Sequence, residues 1–191
     1  MLFYFYGTLM DEALRGSLAG SRVSRLSAAP GVLPDHDRRE ARDGPYPVLV
    51  PAPGRRVSGL LVAGVDRRMA LWIAHFEGRG YLPAVVRVFD VTGRARTAVT
   101  FAPAATLPAS PRPWSLTRWQ RRHKAPVLRL LAIWLRSLPD GQPLSLDVPW
   151  RVRRRLDTLA VEAPDVALPP AGEAVPRLIP PRTAAPPARR T

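Results

Sequence analysis

The chain opens with FYFYGTLM at residues 3–10, and the reading of this stretch decides the fold. Phe3, Tyr4, Phe5 and Tyr6 favour a pleated, buried surface, so a strand is expected over Leu2–Tyr6. Gly7 then frees the backbone, and Thr8 can cap a short helix over Met10–Leu18 that ends near Gly20. A strand that stops at glycine plus hydroxyl just before a helix either turns a corner or holds a polar ligand. The rest of the chain has to discriminate.

Outward from that point the apolar pattern alternates with turn signals. Residues 27–47 hold Pro30, Gly31, Pro34, Gly44, Pro45 and Pro47, and read as a loop-bearing region. Val48–Val50 and Val57–Val62 read as two strands separated by Pro51, Pro53 and Gly54. Asp66 can cap a helix whose Met69, Trp72, Ile73 and Phe76 line one face and which stops near Gly78 and Gly80. Ala84–Asp90 and Ala98–Phe101 read as a hairpin around Thr92-Gly93. Beyond Pro111 and Pro113 the character changes. Ser115 can cap an amphipathic helix running to about Leu138, with Trp119, His123, Val127, Leu131 and Trp134 at 3- or 4-residue spacing and arginines on the other faces. The last 29 residues, 163–191, hold eight prolines and few large apolar groups, and read as a disordered or loosely attached tail. The expected organisation is therefore a domain over 1–111, a basic helical extension over 112–162 packed on it, and the tail.

Composition bounds the chemistry. Without cysteine there is no disulfide, thiolate metal site or thiol nucleophile, which fits a cytoplasmic protein. The N-terminus lacks a basic region followed by a long apolar stretch, so it does not read as a signal peptide. No run approaches the roughly 18 apolar residues that a spanning helix needs, so no membrane partner is expected. The net charge is +14, of which +5 lies in residues 1–111 and +9 in 112–155. Of the 29 basic residues 28 are arginine in a chain also rich in alanine and proline, a bias that argues against a selected nucleic-acid site.

The candidate for chemistry is Glu77, in FEGRGY at residues 76–81. It stands at the C-terminal end of an amphipathic helix, directly before a glycine. The negative helix end and an apolar pocket would both push its pKa upward, so that it holds and exchanges a proton near neutral pH. Tyr81, four residues on, could reach it with a hydroxyl. Asp35-His36-Asp37 looks metal-like but lies in a turn-rich segment and reads as a solvated loop. Ser58 and Ser115 have no base nearby in sequence, and GRG at 78–80 lacks the context of a phosphate loop.

Taken together, YGTL at 6–9, YPVLVPAPGRRVSGLLV at 46–62 and FEGRGY at 76–81 resemble, in order and spacing, the gamma-glutamylcyclotransferase-like superfamily, the AIG2-like proteins. The resemblance covers about residues 2–102. It implies an α+β fold, a small mixed β-barrel flanked by helices with a cavity at one end, here carrying an added C-terminal amphipathic helix. It implies that Tyr6, Gly7, Thr8 and Leu9 line the cavity as the substrate loop, that Glu77 is the acid–base residue, and that Tyr81 orients. The implied reaction is intramolecular: the α-amine of a small-molecule γ-glutamyl substrate attacks its own γ-carbonyl, giving 5-oxoproline and a free amine or amino acid. No metal and no organic cofactor is implied. Three positions depart from the family's pattern: Ala74 where an aspartate is common, Pro83 where an arginine is, and Phe101 where a tyrosine is. The rival reading is a non-catalytic AIG2-like protein that binds an acidic partner through residues 115–138 and Arg151–Arg155.

Overall fold

A computed structural model describes residues 1–137 and 148–168. Its six strands are β1 (Phe3–Phe5), β2 (Ser27–Ala41), β3 (Gly44–Ala63), β4 (Tyr81–Asp90), β5 (Ala95–Pro103) and β6 (Ala109–Pro113). Its helices are α1 (Glu12–Ala19), α2 (Arg67–Glu77), α3 (Leu116–Arg122), α4 (Lys124–Ser137) and α5 (Trp150–Glu162). The strand order is β3-β1-β5-β4-β2-β6, and β2 also pairs with β3. That second pairing closes five strands into a barrel and leaves β6 outside, on the edge of β2. The sheet is mixed, because β1 runs parallel to β5 and antiparallel to β3. The expected α+β barrel flanked by helices is what the chain forms.

The opening strand shows why the barrel has two filled sides. Side chains alternate along a strand, so Leu2, Tyr4 and Tyr6 enter one cluster with Leu33, Leu49, Val57 and Leu61, while Phe3 and Phe5 enter another with the helices. All five residues from Leu2 to Tyr6 are buried. The second cluster also takes Met69 and Ile73 of α2, Trp119 of α3, Leu131 of α4 and Leu156 and Leu159 of α5. The C-terminal helices thus share the core of the barrel.

Three expectations need correction. Residues 27–47 are not a loop: β2 and β3 form one long antiparallel ribbon over Ser27–Ala63. Pro30 and Pro34 are tolerated in β2 because it has a neighbour on its other edge only at Gly31–Val32, Arg39 and Ala41. Pro45 and Pro47 are tolerated in β3 because its other edge meets β1 only at Leu60–Val62, so many N–H groups face no ladder partner. Asp35-His36-Asp37 lies in this ribbon at a register shift. Asp35, at φ 55°, accepts the Gly54 N–H at 2.8 Å across it, and Asp37 pairs with Arg39 at 2.6 Å. The helix expected from Ser115 to Leu138 is broken at His123 into α3 and α4. Pro126 explains the break: in a continuous helix it could not donate to Arg122 and its ring would strike that carbonyl, whereas in the first turn of a new helix no donor is required. The tail expected from Ala163 begins docked. Ala163 is buried, its carbonyl accepts the Leu2 N–H at 3.2 Å, and Asp165 accepts the Gly64 N–H at 2.9 Å. Leu138 and residues 169–191 lie outside the described residues. The boundary drawn at 111/112 falls inside β6, and no described helix is long and apolar enough to cross a membrane.

Candidate active site

A cavity of about 520 Å³ opens where β1 ends, and Tyr6, Gly7, Thr8, Leu9, Glu77 and Tyr81 all line it. The strand stops because the cavity begins. After Phe5 the chain turns through Gly7 into a single 3-10 turn, Thr8–Met10, and then into α1, capped by Asp11 accepting from Leu14 N–H. The N–H groups of Gly7, Thr8 and Leu9 have no acceptor among the described residues, as expected at the start of a helical turn. Gly7 is required by close approach. A β-carbon there would lie 2.5 Å from Cγ of Pro47, on the opposite wall.

Behind the loop, Arg38 donates to the Tyr6 carbonyl at 2.6 Å and to the Ser58 carbonyl at 3.2 Å, with its guanidinium 5.0 Å over the Trp114 ring. On the far side, Asp11 accepts from Gln120 Nε2 at 2.8 Å and pairs with Lys124 Nζ at 2.8 Å. Burial works against the Asp11 charge, but Lys124, Gln120 and the Leu14 N–H together hold its carboxyl below the usual range. The turn is therefore anchored from two sides by charged hydrogen bonds.

Glu77 is the last residue of α2, and Gly78, at φ 68°, ends the helix in a conformation that suits glycine. Among the described residues it is the one carboxyl group on the lining, and no arginine, lysine or histidine joins it there. Its residue surface stays partly open to the cavity, while protein surrounds the carboxyl closely enough to govern its solvation. Burial alone pushes its pKa up to about 8. No cation or donor among the described residues offsets that shift.

Tyr81 does not spend its hydroxyl on Glu77. It donates to the Pro47 carbonyl at 2.7 Å, and Tyr6 donates to the Phe101 carbonyl at 2.7 Å. Burial first, and then the nearby Glu77 charge, raise both phenols above their ordinary range. They remain protonated, their protons committed to the barrel, with oxygen lone pairs left to accept. Thr100, also buried at the wall, donates to the Tyr4 carbonyl at 2.8 Å. Further residues line the cavity that sequence reasoning does not single out, among them Tyr4, Tyr46, Phe76, Leu107 and Val127. Tyr4 shares the two-residue alternation of Tyr6, which is a usable signal; Val127, on a later helix, carries no local one. The departures also find their places. Ala74 is buried in α2 one turn before Glu77, Phe101 stacks on Phe3 at 6.3 Å, and Pro83 pairs with Phe101 between β4 and β5.

The chain is similar in fold to two Arabidopsis thaliana proteins of known solution structure. They are 21% and 19% identical and each has a TM-score of 0.50; the matches cover 73% of this chain and 86% and 94% of those. A structure described as a gamma-glutamyl cyclotransferase matches at 15% identity and a TM-score of 0.47, over 83% of this chain and 98% of that one. No curated protein sequence matches. The sequence profile described as gamma-glutamyl cyclotransferase, AIG2-like, matches residues 3–121, more than half of the chain. With the barrel, the glycine turn and the helix-end glutamate on one cavity, the chain belongs to the AIG2-like gamma-glutamyl cyclotransferase family.

Proposed function

We propose that the protein is a cyclotransferase that converts a γ-glutamyl amide into 5-oxoproline and a free amine, with Glu77 carrying the proton. The observation that carries this reading is a carboxyl group, the one on the described lining, lifted toward pH 8 by burial and sharing the cavity with a turn whose N–H groups have no acceptor among the described residues. The N–H groups of Gly7, Thr8 and Leu9 suit the substrate's α-carboxylate or the oxyanion that develops on the attacked carbonyl. Glu77 as carboxylate takes a proton from the α-ammonium, freeing the nitrogen to attack. That proton passes to the departing nitrogen as the amide bond breaks, and the second proton, which the ring nitrogen loses on becoming the lactam N–H, leaves with the freed amine as its ammonium. Water is not consumed, and the enzyme forms no covalent bond. The hydroxyl oxygens of Tyr6 and Tyr81, unable to donate, favour the ammonium over a second acceptor. The rival polyanion reading draws on α3 and α4, whose Arg118 and Lys124 already serve Glu40 and Asp11.

The test is product analysis on a panel of γ-glutamyl amides. 5-Oxoproline and amine should appear in equal amounts, with no free glutamate. A plot of kcat/KM against pH should rise through an ionisation near 8, because the carboxylate form must meet the substrate. Release of glutamate, or no product from any amide, overturns the proposal.

Gly7→Ala provides a further check. The added methyl cannot coexist with the rigid Pro47 ring, so either the turn or the ribbon that carries the Tyr81 acceptor must move. Turnover should fall by about 10- to 100-fold, as a misplacement of about 1 Å typically costs. Stability should drop by about 1–3 kcal/mol, the usual range for overpacking. Unchanged kcat would show that the turn does not position the substrate.

A further inference from the structure

Resting on the cyclotransferase reading, we infer that the leaving group is an amine whose substituent is uncharged and apolar, aromatic or branched, seated against Phe76, Leu107, Trp119 and Val127. These four side chains all line the cavity that holds Glu77. Phe76 adjoins Glu77 on α2, Leu107 follows β5, and Trp119 and Val127 come from α3 and α4. Trp119 is 3% exposed, so its ring is built into the wall. The Asp11 bridge to Gln120 and Lys124 fixes the junction of α3 and α4 against the glycine turn, so the apolar wall and the turn are held as one unit.

Charge decides what this wall accepts. A γ-glutamyl amino acid brings two carboxylates, and the turn's N–H groups suit one. The second would enter an apolar region with no cation among the described residues lining it and with Glu77 already present, and would be both desolvated and repelled. A leaving group with its own ammonium, such as a lysine side chain, would likewise lose its hydration with Glu77 as the only counter-charge among the described lining residues. An aromatic or branched alkyl amine loses nothing and covers apolar surface. Phe76 and Val127 also border a neighbouring groove of about 280 Å³ with Leu130 and Trp134, so a longer apolar group has room to extend past them. In the step, the bond from the α-nitrogen to the γ-carbonyl carbon forms as the bond to the leaving nitrogen breaks. Two protons leave the α-ammonium, one passing through Glu77 to the departing nitrogen and the other going onto the freed amine, and nothing is oxidised or reduced. Val127 lies beyond the residues that match the family, 3–121, so this part of the wall is the chain's own.

The experiment compares L-γ-glutamyl benzylamide, L-γ-glutamyl isopentylamide, L-γ-glutamylglycine and Nε-(L-γ-glutamyl)lysine on the full chain. The two apolar amides should have kcat/KM at least about 10-fold above the other two, the range that one or two buried methylenes confer. Val127→Arg should narrow or reverse the gap between benzylamide and glycine substrates by about 10-fold or more. Equal or better turnover of γ-glutamylglycine by the natural chain overturns the inference while leaving the reaction standing. If none of the four is turned over, the reaction fails separately. Calorimetric titration of Glu77→Gln with the same four then decides the wall's preference. Tighter binding of the apolar amides by at least about 10-fold supports it, and equal, reversed or absent binding overturns it.

Discussion

Glu77→Gln should lower 5-oxoproline release by about two to four orders of magnitude while the fold stays intact. Gln keeps the size and polarity of the side chain but cannot pass a proton. No other described lining group can substitute for the carboxyl. Tyr6 and Tyr81 have their protons committed to the carbonyls of Phe101 and Pro47, and burial holds both phenols protonated. Thr100 is committed to Tyr4 in the same way. No histidine or lysine among the described residues lines the cavity. The residual rate should also lose the ionisation near 8, since that belongs to Glu77. Turnover within a few-fold of the natural protein, or a pH profile unchanged in shape, would remove Glu77 from the mechanism.

Much of this site is legible in the sequence because its signals are local. The aromatic run that stops at Gly7 and the helix face that stops at Glu77 and Gly78 each depend on residues within one element. Alternation alone separates Tyr4 and Tyr6 from Phe3 and Phe5. Three features escape because tertiary pairing overrides local chemistry. Prolines in residues 27–47 argue for loops, but an open strand edge does not need the N–H groups they lack. The spacing of Tyr81 lets its hydroxyl reach Glu77, but the ribbon brings the Pro47 carbonyl within 2.7 Å of it. Trp119 and Val127 belong to an amphipathic stripe whose reading as core is half the truth. The stripe packs on α2 through Trp134, whose ring lies 4.6 Å from His75 and 5.2 Å from Trp72, and in doing so completes the cavity wall.

The substitution that removes activity should also make the protein more stable, and increasingly so as pH rises. Burial lifts the Glu77 pKa from the ordinary 4.5 to about 8, so the folded state favours the neutral acid. Below about pH 4.5 the group is protonated whether the chain is folded or not, and it costs nothing. Between about 4.5 and 8 the unfolded chain ionises while the folded one does not. The folded state then binds more protons, and stability falls with rising pH. Above about pH 8 both ionise and the full penalty is present, on the order of 3–5 kcal/mol for a shift of this size. The glutamine introduced by Glu77→Gln does not titrate, so the gap in favour of the variant should open across this window and level off above it. For a chain of this length the gap at about pH 8.5, relative to about pH 5, corresponds to about 10 °C in melting temperature. Groups such as Asp11 and Asp90, whose carboxyls the fold holds below their usual range, titrate alike in both proteins and cancel. Any packing difference between Glu and Gln is present at both pH values and cancels as well. A gap that stays constant from about pH 5 to about 8.5 would mean that Glu77 ionises at its ordinary value, and the proton store on which the proposed reaction depends would be absent.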